Sequence, residues 1–289
     1  MKLLVTGGTG QVGEALRRLA PKLGITVIAP GRGELDLSNP GSIRLPPGID
    51  GVINTGAYTA VDKAESERAL AETVNGIAPG VLATEAAKRG LPIVQLSTDY
   101  VFDGTKTEPY LETDPVNPLS VYGRTKETGE RAVRDANPRH AVMRTCWVYA
   151  VHGNNFVKTM LRLGKERDQL KVVADQTGAP TLADDIARAA VEIAKGLRDG
   201  KPAGTYHYAA GGATTWHGLA SAIWAKAGPR LGRSPAIDPI PTSGYPTPAK
   251  RPQNSRLDCA KVVSTFGVIR RPWERALDET LAILLEEKP

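Results

Sequence analysis

Cysteine is nearly absent from this chain of 289 residues, and the two present, Cys146 and Cys259, stand far apart with no CxxC spacing. That pattern excludes a disulfide framework, argues against a zinc site and points to a reducing compartment. Histidine is scarce too. His140, His152, His207 and His217 form no HxxxH or HExxH set, so no catalytic metal is expected. No apolar run approaches the roughly 18 residues of a membrane helix. The short run in MKLLVT is broken at once by glycines, so no export signal is read there. The expectation is a cytoplasmic protein with no membrane partner. Phe, Trp and Tyr make up only 5% of the residues, and none interleaves with a basic cluster. The net charge of +6 is spread along the chain, so nucleic acid is not an expected partner.

What is present is an ordinary globular balance of 41% hydrophobic and 24% charged residues, enough to bury a sizeable core. The runs KLLVT, ITVIA, GVINTGA, LPIVQLS and RHAVMRT are brief, rich in Val, Ile and Leu, and bounded by turn residues. They read as buried strands. Between them VGEALRRLA, ERALAETVNGIAPGVLATEAAKR and RTKETGERAVRD carry helical apolar spacing. Strand and helix in alternation predict an α/β fold, a Rossmann-type doubly wound parallel sheet. Residues 1–146 are expected to form a dinucleotide-binding domain, with later helices or a strand returning to it. Residues 147–289 are expected to form a smaller C-terminal α/β substrate domain. In that half PIPTSGYPTPAKRPQN, residues 239–254, is too rich in proline for a helix or a central strand. Loops of such length are usually functional or disordered.

The run GGTGQVG lies between KLLVT and the first predicted helix, which is the context a dinucleotide loop requires. Gly7 would turn the chain off the strand, Gly10 would bring amides to a pyrophosphate, and Gly13 would let helix and sheet pack closely. With Gln11 and Val12 these make a candidate cofactor cradle; a plain Gly-rich turn is the other reading. No GK[ST] follows, so a P-loop is excluded. A carboxylate at the end of the second strand would select NADH, but ITVIA runs into Pro30, Gly31 and Arg32. A guanidinium there suits a 2′-phosphate, which favours NADPH over NADH. Arg32 can equally be an exposed loop cation.

YGRTK places Tyr122 and Lys126 on one helix face, where an ammonium would stabilise the phenolate and lower the tyrosine pKa. Such a pair can give a proton to a carbonyl that accepts hydride. Upstream, LPIVQLSTDYVF ends in Thr98 and Asp99, at the carboxyl end of a strand where ligands of open parallel sheets bind. Both residues could instead cap the following turn.

The glycine spacing resembles the TGxxGxxG of extended short-chain dehydrogenases/reductases. NTGAYTAVDKAESE, STDYVF, PLSVYGRTKETGE, RTCWVYA, GNNFVKTMLRL, DQTGAPT, GGATTWH and YPTPAKRPQNSRLD together resemble the dTDP-4-dehydrorhamnose reductase family over nearly the whole chain. The resemblance implies NADPH-dependent reduction of the C4 ketone of dTDP-4-dehydro-beta-L-rhamnose, with a dTDP-sugar as the partner. It implies that Tyr122 donates the proton, that Lys126 holds the nicotinamide ribose, and that Thr98 binds near the reacting oxygen. Asp99 and Trp147 would contact the sugar nucleotide. Asp36 and Leu37 would lie on the adenine side, and Ala57, Tyr58 and Thr59 would line the cofactor.

Some positions admit two readings. Trp147 follows a buried strand and fits a core as well as a ligand contact; Asn154 and Asn155 could bind a nucleotide or cap a helix; Arg251 and Arg256 could clamp a diphosphate or lie exposed. Some family members dimerise around magnesium through a first-helix glutamate. Here Glu14 directly follows Gly13 and Ala15 stands beyond it, so neither the metal nor that dimer is carried over, and monomer or homodimer is left open. Cys146 stands where the family usually has serine. Two further readings are a nucleotide-binding regulatory subunit like the beta subunit of methionine adenosyltransferase, and a sister sugar-nucleotide epimerase or dehydratase. The intact YGRTK and STDYVF weigh against the first. Tyr100 after Asp99, where a dehydratase has glutamate, weighs against dehydration.

Overall fold

The computed structural model describes residues 1–286. Its first half runs β1 (Lys2–Thr6), α1 (Gln11–Leu19), β2 (Thr26–Ile28), β3 (Gly51–Asn54), α2 (Val61–Ala64), α3 (Arg68–Glu72), α4 (Ala78–Ala87), β4 (Ile93–Thr98), α5 (Val121–Ala136) and β5 (His140–Thr145). The second half runs β6 (Val148–Tyr149), α6 (Phe156–Glu166), β7 (Gln169–Val173), β8 (Thr177–Gly178), β9 (Thr181–Leu182), α7 (Ala183–Arg198), β10 (Gly204–His207), β11 (Thr214–Thr215), α8 (Trp216–Leu231), β12 (Ala236–Ile240), α9 (Ala260–Phe266) and α10 (Trp273–Glu286). No helix among the described residues is long and apolar enough to cross a membrane.

Six strands form one sheet in the order β2, β1, β3, β4, β5, β10, and every pairing in it is parallel. Such strands are covered on both faces, which is why Leu3, Leu4, Val5, Val52, Ile53, Ile93 and Val94 are all fully buried. α1 and α7 pack together on one face, and α4 and α5 on the other. The alanines of α7, Ala183, Ala187, Ala190 and Ala194, let that helix lie close on the sheet. Chain order reverses between β1 and β3, so the carboxyl ends of those two strands open the crevice where doubly wound folds bind ligands.

The sheet is therefore not made of residues 1–146 alone, because α7 and β10 return to it from the second half. What remains of that half gathers around a separate apolar cluster of Met160, Leu170, Ile223, Trp224, Leu277 and Leu281. β12 pairs with β7 in a two-stranded sheet, where Pro239 is tolerated because no third strand needs its missing amide.

The helical stretch before β4 is not continuous. Between α3 and α4 the backbone widens into one π turn over Thr73–Ile77. Pro79 has no amide to give to the carbonyl of Asn75 four residues earlier, and the helix relaxes around that missing bond. The freed carbonyl is seated against α5. A Cβ at Gly129 would lie 2.0 Å from Asn75 O, so only glycine permits the approach.

Candidate active site

β1 ends at Thr6, and Gly7 turns the chain with φ +67°. A Cβ at Gly7 would meet Gly56 Cα at 2.6 Å, and one at Gly13 would meet Gly7 O at 2.1 Å. Backbone thus packs on backbone where β1, α1 and the loop after β3 converge. Gly10 donates to Gly7 O at 2.9 Å and opens α1 without any side-chain cap. By contrast the side chains of Ser120, Asn155 and Thr215 cap α5, α6 and α8. A helix start with unclaimed amides beside a glycine turn fits a diphosphate. Val12 and Gly13 are buried beneath it. Gln11 is tied to the second half: its side-chain oxygen accepts from Asn155 at 3.0 Å, and its carbonyl lies 3.2 Å from His152 Nε2. Asn155 caps α6 through Lys158 N at 3.1 Å, so capping and the contact to the loop coexist in one side chain.

Arg32 is exposed after β2. Asp36 accepts from the amide and hydroxyl of Ser38 at 2.9 and 2.8 Å, and these bonds hold its carboxyl below the ordinary value. Leu37 is buried and packs over Gly56. Beyond β3, the π turn fixes the Ala57, Tyr58, Thr59 loop. Asn75 accepts from Tyr58 N at 2.8 Å, donates to Tyr58 O at 3.0 Å, and also reaches Thr125 Oγ1 on α5 at 3.2 Å. The Tyr58 hydroxyl donates to Glu67 at 2.6 Å.

β4 delivers the reactive groups. Thr98 Oγ1 donates to Asp99 Oδ1 at 3.0 Å and accepts from Tyr100 N at 3.2 Å. Asp99 is buried, its Oδ2 has no partner, and burial pushes its carboxyl up to about 6. Tyr122 sits in the first turn of α5, started by Ser120 Oγ accepting from Gly123 N at 3.1 Å. The Tyr100 ring stands edge-on to it, with centroids 5.6 Å apart. Lys126 Nζ, one turn further, donates to Leu96 O at 2.6 Å.

The expected lowering of the Tyr122 pKa by Lys126 is not what the structure gives. Enclosure of the phenol pushes it up to about 12, Asp99 adds to the rise, and only the neighbouring Thr98 opposes it. Burial pushes Lys126 down to about 8, against the charge of Glu130, and its ammonium is directed to the Leu96 carbonyl. Burial is the leading cause at both residues.

Trp147 is half-buried with φ +47°, the one non-glycine residue in the left-handed region among those described. A tryptophan held there is strained and calls for a compensating contact. That contact is Trp216, whose ring stacks on it at 3.6 Å and 11°. Trp147 touches both apolar clusters, so it joins the packing of the two halves. Arg251 is engaged by Asp62 through two bonds of 2.8 and 3.2 Å, and Arg256 by Asn254 at 3.0 Å and the Thr107 carbonyl. The Arg251 bond folds the Pro-rich loop onto the segment just past Thr59. Among the described residues no group of three or more His, Cys, Asp or Glu is arranged for a metal, and Glu14 is paired with Arg17 at 2.9 Å. Asn75, Asp62, Glu130, Arg144 and Trp216 were not foreseen. Only Asn75 had a local signal, its place four residues before a proline in a helical stretch.

A family model described as RmlD substrate binding domain matches residues 1–286. The chain is 44% identical over 295 residues to a dTDP-4-dehydrorhamnose reductase of Sinorhizobium fredii, covering 100% of this chain and 99% of that protein. A crystal structure of a dTDP-4-dehydrorhamnose reductase from Clostridium acetobutylicum superposes with a TM-score of 0.90 at 40% identity, covering 98% of this chain and 99% of that one. The Bacillus anthracis reductase in complex with NADP superposes with a TM-score of 0.87 at 33% identity, again covering 98% and 99%.

Proposed function

The chain belongs to the RmlD substrate-binding-domain family, that of the dTDP-4-dehydrorhamnose reductases, and from that premise we propose that it reduces the C4 ketone of dTDP-4-dehydro-beta-L-rhamnose to dTDP-L-rhamnose. The observation that carries this reading is the set of Thr98, Tyr122 and Lys126 at the carboxyl end of β4, beside the uncapped start of α1.

NADPH supplies the hydride. Its diphosphate is assigned to the amides of Gln11, Val12 and Gly13, which the Gly7 to Gly10 turn presents. Its 2′-phosphate is assigned to Arg32, its adenine side to Asp36 and Leu37, and its nicotinamide end to Ala57, Tyr58 and Thr59. Tyr122, neutral across the physiological range because its pKa lies near 12, gives its proton to the C4 oxygen as that oxygen gains negative charge. Thr98 shares that oxygen's surroundings and keeps the phenol oriented. Lys126, with a pKa near 8, is mostly an ammonium at neutral pH and is assigned to the nicotinamide ribose. Asp99, with its unpartnered Oδ2, is assigned to a sugar hydroxyl, and Trp147 to the sugar face. The second-half residues outside α7 and β10, closed by the Asp62 to Arg251 bond, supply the substrate side.

The test is cofactor oxidation with dTDP-4-dehydro-beta-L-rhamnose, run with NADPH and NADH in parallel. Turnover with NADPH supports the reading. No turnover with either would leave a nucleotide-binding regulatory role, and equal rates would retract the role of Arg32.

A further inference from the structure

Beneath the reactive residues lies a buried charged group that the chemistry above does not use. Glu130 stands one helical turn beyond Lys126 and two beyond Tyr122 on the same side of α5. Its side chain is fully buried. One oxygen accepts from Ser97 Oγ at 2.6 Å and from Arg144 Nε at 2.8 Å; the other accepts from Arg144 Nη2 at 2.6 Å and Arg134 Nη1 at 3.2 Å. Arg144 is itself almost inaccessible, lies over the Phe102 ring at 5.0 Å, and approaches His207 Nε2 at 3.5 Å. One carboxylate therefore joins three elements: β4 at Ser97, the residue before Thr98; α5, which carries Tyr122 and Lys126; and β5.

A buried ion pair of this kind is a costly way to hold a fold, because well-packed apolar residues often do as well. Its place under Lys126 gives it a second use. We propose that Glu130 is a positioning residue for the reaction: it supplies the counter-charge that keeps buried Lys126 an ammonium, and it fixes Ser97, hence Thr98, against α5. The inference rests on the reductase reading above.

The charged and titratable groups gathered there are Tyr122, Lys126, Glu127, Glu130 and Arg134 from α5, Asp99 after β4, Arg144 from β5 and His207 from β10; Glu127 shares Arg134 with Glu130. Burial acts to raise the Glu130 carboxyl, but Arg144, Ser97 and Arg134 outweigh it and leave it below the ordinary value. It is therefore an anion wherever the enzyme works. Of these charges, Glu130 is the one that opposes the loss of the Lys126 proton.

The experiment compares Glu130→Gln and Glu130→Asp with the unaltered protein in two measurements across pH. One is the alkaline limb of kcat/KM; the other is NADPH affinity by fluorescence, which needs no turnover. Glu130→Gln should move both transitions down by about one pH unit, a tenfold change. Glu130→Asp keeps the charge, so both transitions should stay in place while kcat falls as Ser97 loses its bond. Loss of kcat or thermal stability in Glu130→Gln with both transitions unmoved overturns the proposal. Should Glu130→Gln not fold because Arg144 is left without a partner, the double variant Glu130→Gln, Arg144→Gln removes that stranded charge. Its NADPH transition must then shift, and an unshifted one overturns the proposal equally. If the unaltered protein binds NADPH without reducing the sugar, the reductase reading falls while the affinity transition still decides the role of Glu130.

Discussion

Replacing Tyr122 by Phe removes one oxygen and leaves a ring of nearly the same shape. In the structure that oxygen lies beside Thr98, which acts to lower its pKa, and the ring keeps its edge contact with Tyr100. The loss to folding should be at most that of one ordinary hydrogen bond, about 1 kcal/mol. Thr98 retains its bond to Asp99 and stays satisfied. The loss to catalysis should be far larger. A positioned general acid contributes roughly 100- to 10,000-fold, or about 3 to 5 kcal/mol of barrier. With its pKa near 12, the phenol bears its proton across the neutral range, so water must replace it in the variant. The assay is loss of reduced-nicotinamide absorbance with the 4-keto sugar, beside a fluorescence titration with NADPH and a thermal melt. Turnover should collapse while affinity and melting temperature stay close to the parent. A variant that reduces the sugar at the parent rate would falsify the assignment. A melting temperature that falls steeply with the activity would show that the ring, and not the proton, had been lost.

Further outcomes follow from other parts of the site. Asn75→Ala removes three hydrogen bonds that fix Tyr58 to α5 and should weaken NADPH binding about tenfold, read by the same fluorescence titration; unchanged affinity would mean the Tyr58 loop is held by other contacts. Arg32→Ala should raise the KM for NADPH about tenfold and leave that for NADH unchanged, and a parallel rise in both would refute the reading of the 2′-phosphate. Trp216→Ala removes the ring that Trp147 stacks on, and should raise the KM for the sugar more than it lowers kcat. His207 is buried and pushed by that burial down to about 3, so it is neutral when folded and gains its proton only on unfolding. Below about pH 6.5 the unfolded chain binds the extra proton, and stability should fall by about 1.4 kcal/mol per pH unit from this group as pH drops toward 4. A thermal melt series shows it; a curve no flatter in His207→Gln would refute the assignment.

The sheet was readable because parallel strands buried on both faces leave continuous apolar runs, and five such runs sit where strands form. The sixth strand was not named in advance. GTYH carries little of that signal, since β10 is an edge strand paired on one side only. The stretch before β4 carries helical spacing throughout. Pro79 was visible in it, but the π turn depends on Gly129 of α5 receiving the Asn75 carbonyl, and that is a contact made only in three dimensions. The glycine loop, Tyr122, Lys126 and Thr98 could be singled out because their spacing is local and chemical. Their protonation could not. Sequence places an ammonium beside a phenol, whereas the fold buries both, and desolvation then moves each group opposite to what pairing suggests. Arg251 looked free in a proline-rich loop, and its partner Asp62 lies 189 residues away in the chain.

The bare start of α1 has a thermodynamic side. A side-chain cap is worth about 1 kcal/mol to a helix, and α1 forgoes it where α5, α6 and α8 do not. Whatever anion rests on those amides supplies the missing stabilisation, so ligand concentration becomes a term in the folding equilibrium. At a hundredfold excess over its dissociation constant, a ligand that binds only the folded chain adds about 2.7 kcal/mol. The pool of dinucleotide would then bear on how firmly this protein resists unfolding as well as on how fast it works.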